Sequence, residues 1–125
     1  MPSTAVGSNV EIFDVTIRDG SYAIDFQFTE EDNRTLCGVL EDAGFRYIEI
    51  GHGLGLNAPN LKSPSAATDE QYLSSAADVL KSAKFGTFFI PGIGEREHLK
   101  WARETFGMDF VRIGSEPETS EQIVP

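Results

Sequence analysis

Apolar positions along this chain switch back and forth between two spacings. Over residues 9–16 (NVEIFDVT) hydrophobic side chains alternate with polar ones, and Val15 and Ile17 continue the alternation to Arg18-Asp19-Gly20. A strand is expected there, ending in a charge pair and a turn residue. From Thr29 the spacing becomes helical. Leu36, Val39, Leu40 and Ala43 recur three or four residues apart, Thr29 stands as an N-cap before the first-turn acids Glu30, Glu31 and Asp32, and Gly44 stops the run. These features predict a helix over 30–43.

The two spacings then repeat. Residues 47–50 (YIEI) form a short β-prone run that breaks at Gly51, and the stretch to residue 67 is a long loop rich in Gly, Pro, Asn and Ser. Thr68 caps a second helix to about residue 82, with Tyr72, Leu73, Ala76, Ala77 and Leu80 on one stripe. Residues 85–90 supply a third strand, a third helix begins near Glu95 and carries Leu99, Trp101, Ala102 and Phe106, and residues 110–113 form a fourth strand. A fourth helix has barely begun at Ser120.

Strands alternating with helices at this interval form right-handed βαβ units and a parallel sheet. Two architectures fit, a doubly wound open sheet and a (β/α)8 barrel. The length of 125 residues favours the first, because a complete barrel takes roughly 250. The placement of polar residues favours the second: Arg18-Asp19, then Glu49 and His52, then Pro91-Gly92, then Arg112-Ser115-Glu116 each follow a strand and gather on one rim. The expected fold is α/β, with parallel β/α units over 1–125 forming the N-terminal half of a TIM barrel.

Composition narrows the function. A formal charge of −10 opposes nucleic acid and anionic membranes as partners. Cys37, the single cysteine, lies within an apolar helical pattern and reads as a small core residue in a reducing compartment. With no apolar run long enough to span a membrane and no basic-then-apolar start, the expected location is cytoplasmic. No Ser-His-Asp order, CxxC or HExxH pattern is present, which removes support for nucleophilic hydrolysis and zinc proteolysis. The glycines of Pro91-Gly92-Ile93-Gly94 form a tight turn rather than a phosphate loop, since neither G-x-G-x-x-G nor a P-loop lysine accompanies them.

The chemistry resides in the rim residues. Asp19 offers a hard oxygen ligand for Mg2+ or Mn2+, and Arg18 offers fixed donors to an enolate or a carboxylate; the alternative is a solvated ion pair. His52, flanked by Gly51 and Gly53, is either a proton-transfer partner or a satisfied structural histidine. Glu49 is either a carboxylate orienting Arg18 or a metal-bound water, or a charge satisfied inside the barrel. His98 reads as a surface residue of the third helix.

The stretches "DVTIRDG", "IEIGHGLGL", "ATDEQYL", "IPGIGEREHLK" and "VRIGSEPETSEQ" occur in order across nearly the whole chain. Together they resemble the N-terminal half of class II 4-hydroxy-2-oxovalerate aldolases, within the metallolyase group that includes hydroxymethylglutaryl-CoA lyase and the isopropylmalate and homocitrate synthases. The resemblance implies a divalent-metal-dependent carbon–carbon lyase that cleaves a 4-hydroxy-2-oxo acid through a pyruvate enolate, with Asp19 on the metal and Arg18 on the enolate oxygen. Aldolases of the group carry a histidine base two residues after the Arg-Asp-Gly motif, where this chain has Tyr22. A phenol is a weak base at neutral pH, but it can donate a hydrogen bond or serve as an acid.

The family's two histidine metal ligands belong to a later strand, so the remaining ligands are absent from this chain. The sequence is therefore expected to be part of a longer enzyme, or to complete a barrel with a second copy or another subunit; family aldolases commonly pair with an acylating aldehyde dehydrogenase. Two other readings stand beside the lyase: a non-catalytic half-barrel interaction module, and a condensing acyltransferase of the synthase branch.

Overall fold

A computed structural model describes residues 11–115. Strand β1 (Phe13–Asp14) leads into a helical turn, α1 (Thr16–Gly20), and a 3-10 turn at Ser21–Ile24. Helix α2 (Glu30–Asp42) precedes β2 (Tyr47–Ile50), and the following loop contains the short α3 (Ala58–Leu61). Helix α4 (Asp69–Val79), β3 (Lys84–Phe89), α5 (Arg96–Phe106) and β4 (Phe110–Ile113) complete the order.

The four strands lie in the order β1-β2-β3-β4, every neighbouring pair parallel. That order decides between the two expected architectures. Right-handed crossovers between adjacent strands place every helix on the same face, whereas a doubly wound sheet reverses direction to cover both. The chain therefore forms consecutive units of a (β/α) barrel.

Register assigns the two faces. Ile48, Ile50, Phe85 and Phe89 point toward the helices and are buried with Cys37, Tyr72, Leu73, Ala76 and Ala102 in one core. Each fully buried Ile or Leu of this set contributes about 1.5–3 kcal/mol. The opposite face carries Tyr47 and Glu49 from β2, Phe88 from β3, and Phe110 and Arg112 from β4. At its base Phe13 meets Tyr47 and Phe110, with ring centroids 5.0 and 5.1 Å away.

The helix starts agree with the sequence pattern. Thr29 Oγ1 accepts from the Asp32 N–H while the Asp32 carboxylate accepts from the Thr29 N–H, and Thr68 and Gln71 form the same reciprocal pair. His98 is more than a surface residue, because its Nδ1 accepts from the Glu95 N–H at the start of α5. The buried stripe of α2 is rotated from the expected one: Asn33 and Cys37 are fully buried and Val39 is exposed. The Asn33 amide donates to Tyr72 O and Ser75 Oγ, which ties α2 to α4. On α4, Ser75 is buried in place of the expected Ala77. Burial pushes the Cys37 thiol up to about 12, as an inert core residue requires.

The first strand is the main correction. The expected strand over 9–16 is only Phe13–Asp14 within the described residues, and Thr16 and Ile17 are helical. Asp14 takes the chain out of the sheet, its carboxylate accepting from both the N–H (3.0 Å) and the hydroxyl (2.8 Å) of Thr16. Asn9, Glu116 and the helix expected from Ser120 lie outside the described residues.

Candidate active site

Arg18 reaches the sheet mouth from α1, one helical turn beyond the end of β1, rather than from the strand itself. Consecutive residues on a helical turn diverge, and here one faces the sheet and the other faces solvent. The Arg18 side chain is 12% exposed and lies against the sheet, while Asp19 is 66% exposed and turned to solvent, its Oδ1 4.0 Å from Arg18 Nη1.

Glu49 anchors the site. It is fully buried on β2 and accepts three charge-assisted hydrogen bonds: from Arg18 Nε at 2.9 Å, and from Arg112 Nε and Nη2 at 2.7 Å each. The bond to Glu49 raises the already high Arg112 pKa further. The Phe88 ring packs against both cations, its centroid 4.5 Å from Arg18 Cζ and 5.6 Å from Arg112 Cζ. A guanidinium has five N–H donors. Arg18 uses one on Glu49 and one on Gly53 O at 3.2 Å, leaving the rest without an acceptor among the described residues.

The loop after β2 closes over this cluster. Gly55, at φ +92°, lets it cross β3, since a Cβ there would come 2.4 Å from Phe88 O. Gly53 accepts a second bond, from the Tyr22 hydroxyl at 3.1 Å, and a Cβ on it would strike the Tyr22 ring at 2.7 Å. Tyr22 is thus pressed on Gly53 with its proton directed at a carbonyl, although about half of the residue is open to solvent.

His52 sits beneath the mouth, fully buried and stacked on Phe26 with centroids 3.9 Å apart. Its Nδ1 accepts from the Leu54 N–H, so Nε2 carries the proton and donates to Ser63 O, both at 3.0 Å. Burial holds its pKa below the ordinary imidazole value, against the opposing pull of Ser63 O. Both ring nitrogens are spent on loop backbone.

A divalent cation does not fit these residues alone. Catalytic metal sites usually take three or more protein ligands, and among the described residues no group of three His, Cys, Asp or Glu side chains is close enough to hold one. Asp19 offers one open carboxylate, and both oxygens of Glu49 are taken by guanidinium groups.

The structure brings Arg18, Asp19, Glu49 and Tyr22 to one mouth and places His52 just behind it. The residues sequence reasoning left without a role are Phe88 and the Arg112 fork. Their signal was alternation: Phe88 and Arg112 occupy the face that Glu49 occupies, and Phe88 is the register partner of Arg112.

Consecutive parallel β/α units whose loops hold an ionic cluster at the carboxyl ends of the strands define the class: one part of a (β/α) barrel with its site at the mouth. A family model fixes the lineage, matching residues 9–122, and the chain belongs to the HMGL-like family. It is 40% identical over 113 residues to the oxaloacetate decarboxylase of Mycobacterium tuberculosis, an overlap covering 90% of this chain and 33% of that protein. It is 41% identical over 105 residues to the 4-hydroxy-2-oxovalerate aldolase of Desulfitobacterium hafniense, covering 83% of this chain and 31% of that protein. The aldolase of the same name from Geobacillus genomosp. 3 is 36% identical over 126 residues, covering 98% and 36%. The chain spans about a third of the length of the curated relatives it matches. Among the described residues no helix is long and apolar enough to cross a membrane.

Proposed function

We propose that this chain supplies the enolate-handling part of a carbon–carbon lyase acting on a small 2-oxo acid. The observation that carries the reading is Arg18, a nearly buried guanidinium fixed by Glu49 at the sheet mouth, with N–H donors that meet no acceptor among the described residues. Breaking the C3–C4 bond of a 4-hydroxy-2-oxo acid puts an electron pair on pyruvate as its enolate, and fixed donors favour that charge more than they favour the ketone. Glu49 orients Arg18. Asp19 is assigned as one oxygen ligand of a divalent cation, Mn2+ or Mg2+, whose other ligands come from outside the described residues. Further strands, from the same protein or from a second copy, would cover the aromatic face, which is half-buried among the described residues.

Tyr22 and His52 favour a second reading within this chemistry. Aldol cleavage needs a base to take the C4 hydroxyl proton as the aldehyde forms. In this chain the Tyr22 proton is committed to Gly53 O, His52 spends both nitrogens on backbone, and Glu49 is held by two guanidinium groups. Decarboxylation of oxaloacetate breaks the same C3–C4 bond, releases CO2, leaves the same enolate, and needs a proton only afterwards, at C3. It is also the activity named for the Mycobacterium relative.

The test is to give the full-length protein, with Mn2+, either oxaloacetate or 4-hydroxy-2-oxopentanoate and follow pyruvate release. Loss of turnover in Asp19→Asn supports the lyase. Faster release from oxaloacetate supports the decarboxylase, and release only from the hydroxy acid supports the aldolase. Acetyl-CoA consumption with a 2-oxo acid would point to the synthase branch instead, and inertness toward all of these to an interaction module.

A further inference from the structure

Arg18 is carried by weak local structure. It stands on a five-residue helical turn that comes after a two-residue strand, and that backbone alone cannot set the angle of a long side chain. Gly53 O accepts one bond from Arg18 and Phe88 lies against it, but its charged partner among the buried residues is Glu49, and Glu49 is set from the far edge of the sheet. Among the described residues this buried carboxylate receives hydrogen bonds from guanidinium groups alone. Arg112 supplies two short, fork-like bonds, one to each oxygen, and so fixes the carboxylate plane. Arg18 then adds a single bond to an oxygen that is already placed.

Phe88 supports the brace by packing against both cations. Gly114 admits its ring, because a Cβ at that position would lie 2.4 Å from the Phe88 Cζ. The brace therefore runs from β4 through the Glu49 carboxylate to the guanidinium on α1, with Phe88 packed against both of its ends.

We propose that Arg112 is a positioning residue: its bidentate grip on Glu49, 63 residues away in sequence, holds Arg18 in the orientation its chemistry needs. The purpose of that orientation rests on the enolate reading given above, whereas the grip itself does not. Lysine cannot replace Arg112, because an ammonium group has no planar fork and cannot hold both oxygens in one plane.

The test uses the full chain, with Arg112→Lys and Arg112→Gln compared with wild type. The first readout is the Arg18 Nε–H signal in a nitrogen–proton correlation spectrum. It is expected to be resolved and slow to exchange with water in the wild type, and to collapse into the solvent-averaged arginine envelope in both variants while the backbone amides stay dispersed. The second readout is hydrogen exchange at the pyruvate methyl group with Mn2+, expected to fall about tenfold or more in both variants, in kcat rather than in KM. A protected Arg18 signal that survives in either folded variant overturns the proposal. So does its absence from the wild type, a result that needs no variant to fold. A protected signal lost in both variants, with no exchange even in wild type, supports the grip and overturns the enolate reading.

Discussion

Arg18 Nε donates to Glu49 Oε1 at 2.9 Å, joining a helical turn beyond the first strand to the interior face of the second. Glu49→Ala leaves that guanidinium, 12% exposed, without its carboxylate. Removing one member of a buried pair costs about 3–5 kcal/mol; because Arg112 is 42% exposed and can turn to water, the expected loss lies at the lower end, about 3 kcal/mol. Urea unfolding checks this through a lower midpoint at unchanged slope. A loss under about 1 kcal/mol would mean that the cluster is solvated like a surface pair.

Gly53→Ala tests how Tyr22 is held. The new methyl would lie 2.7 Å from the ring, so the ring must move and the hydroxyl leaves Gly53 O. The expected cost is about 1–3 kcal/mol, as for other overpacked sites. In a Tyr22→Ala background the same substitution should cost less, since the ring clash is then gone and only Ser21 Oγ, 3.0 Å from the new methyl, remains close. Additive losses in the double variant would place the strain elsewhere.

His52 makes folding sensitive to mild acid. Its folded pKa lies below the ordinary 6.5, chiefly through burial, so below pH 6.5 the unfolded chain takes up a proton that the folded chain refuses. Stability is full above pH 6.5 and falls as pH drops from there toward the folded value, where protonation of Nδ1 also breaks the bond from Leu54 N–H. Unfolding free energy measured between pH 7 and 5 should decline in wild type and stay flatter in His52→Gln. Equal slopes would show that the ring titrates as freely folded as unfolded.

Glu41 acts in a lower window. Burial raises its pKa, but donors from the α4–β3 connection outweigh that and lower it below 4.5: the Ala83 N–H at 2.7 Å, the Ser82 N–H at 2.6 Å and hydroxyl, and the Lys81 N–H. Its contribution is present above pH 4.5 and is lost as pH falls from 4.5 through the folded value. Glu41→Gln should cost about 1 kcal/mol at pH 7, and its gap to wild type should narrow as pH falls below 4.5. A constant gap across that range would contradict the linkage.

The long helices α2, α4 and α5 and three of the strands could be read from the chain because their signals are local: Thr29 and Thr68 each cap the helix that begins at the next residue, and Ile48 and Ile50 alternate with Glu49. The first strand misled because Thr16 and Ile17 are β-branched and continue an alternation, while the Asp14 bond that ends the strand depends on a two-residue geometry that periodicity does not sense. Rim membership of Arg18, Asp19 and Glu49 came from the end-of-strand rule. The Glu49–Arg112 fork did not, since it depends on how strands two and four are spaced across β3, and no local pattern encodes a pairing over 63 residues. The sequence leaves His52 open between two roles; its commitment to Leu54 and Ser63 depends on a loop path that its glycines permit without specifying.

The most direct measurement is deuterium uptake at the methyl group of pyruvate, catalysed by the full-length protein with Mn2+ in D2O, for wild type against Arg18→Gln. If the guanidinium at the sheet mouth steadies the enolate, wild type exchanges the methyl protons and the variant does so about 100-fold more slowly or worse, as for loss of a fixed donor to an oxyanion. Exchange at equal rates in both proteins, or none in wild type, would contradict the account.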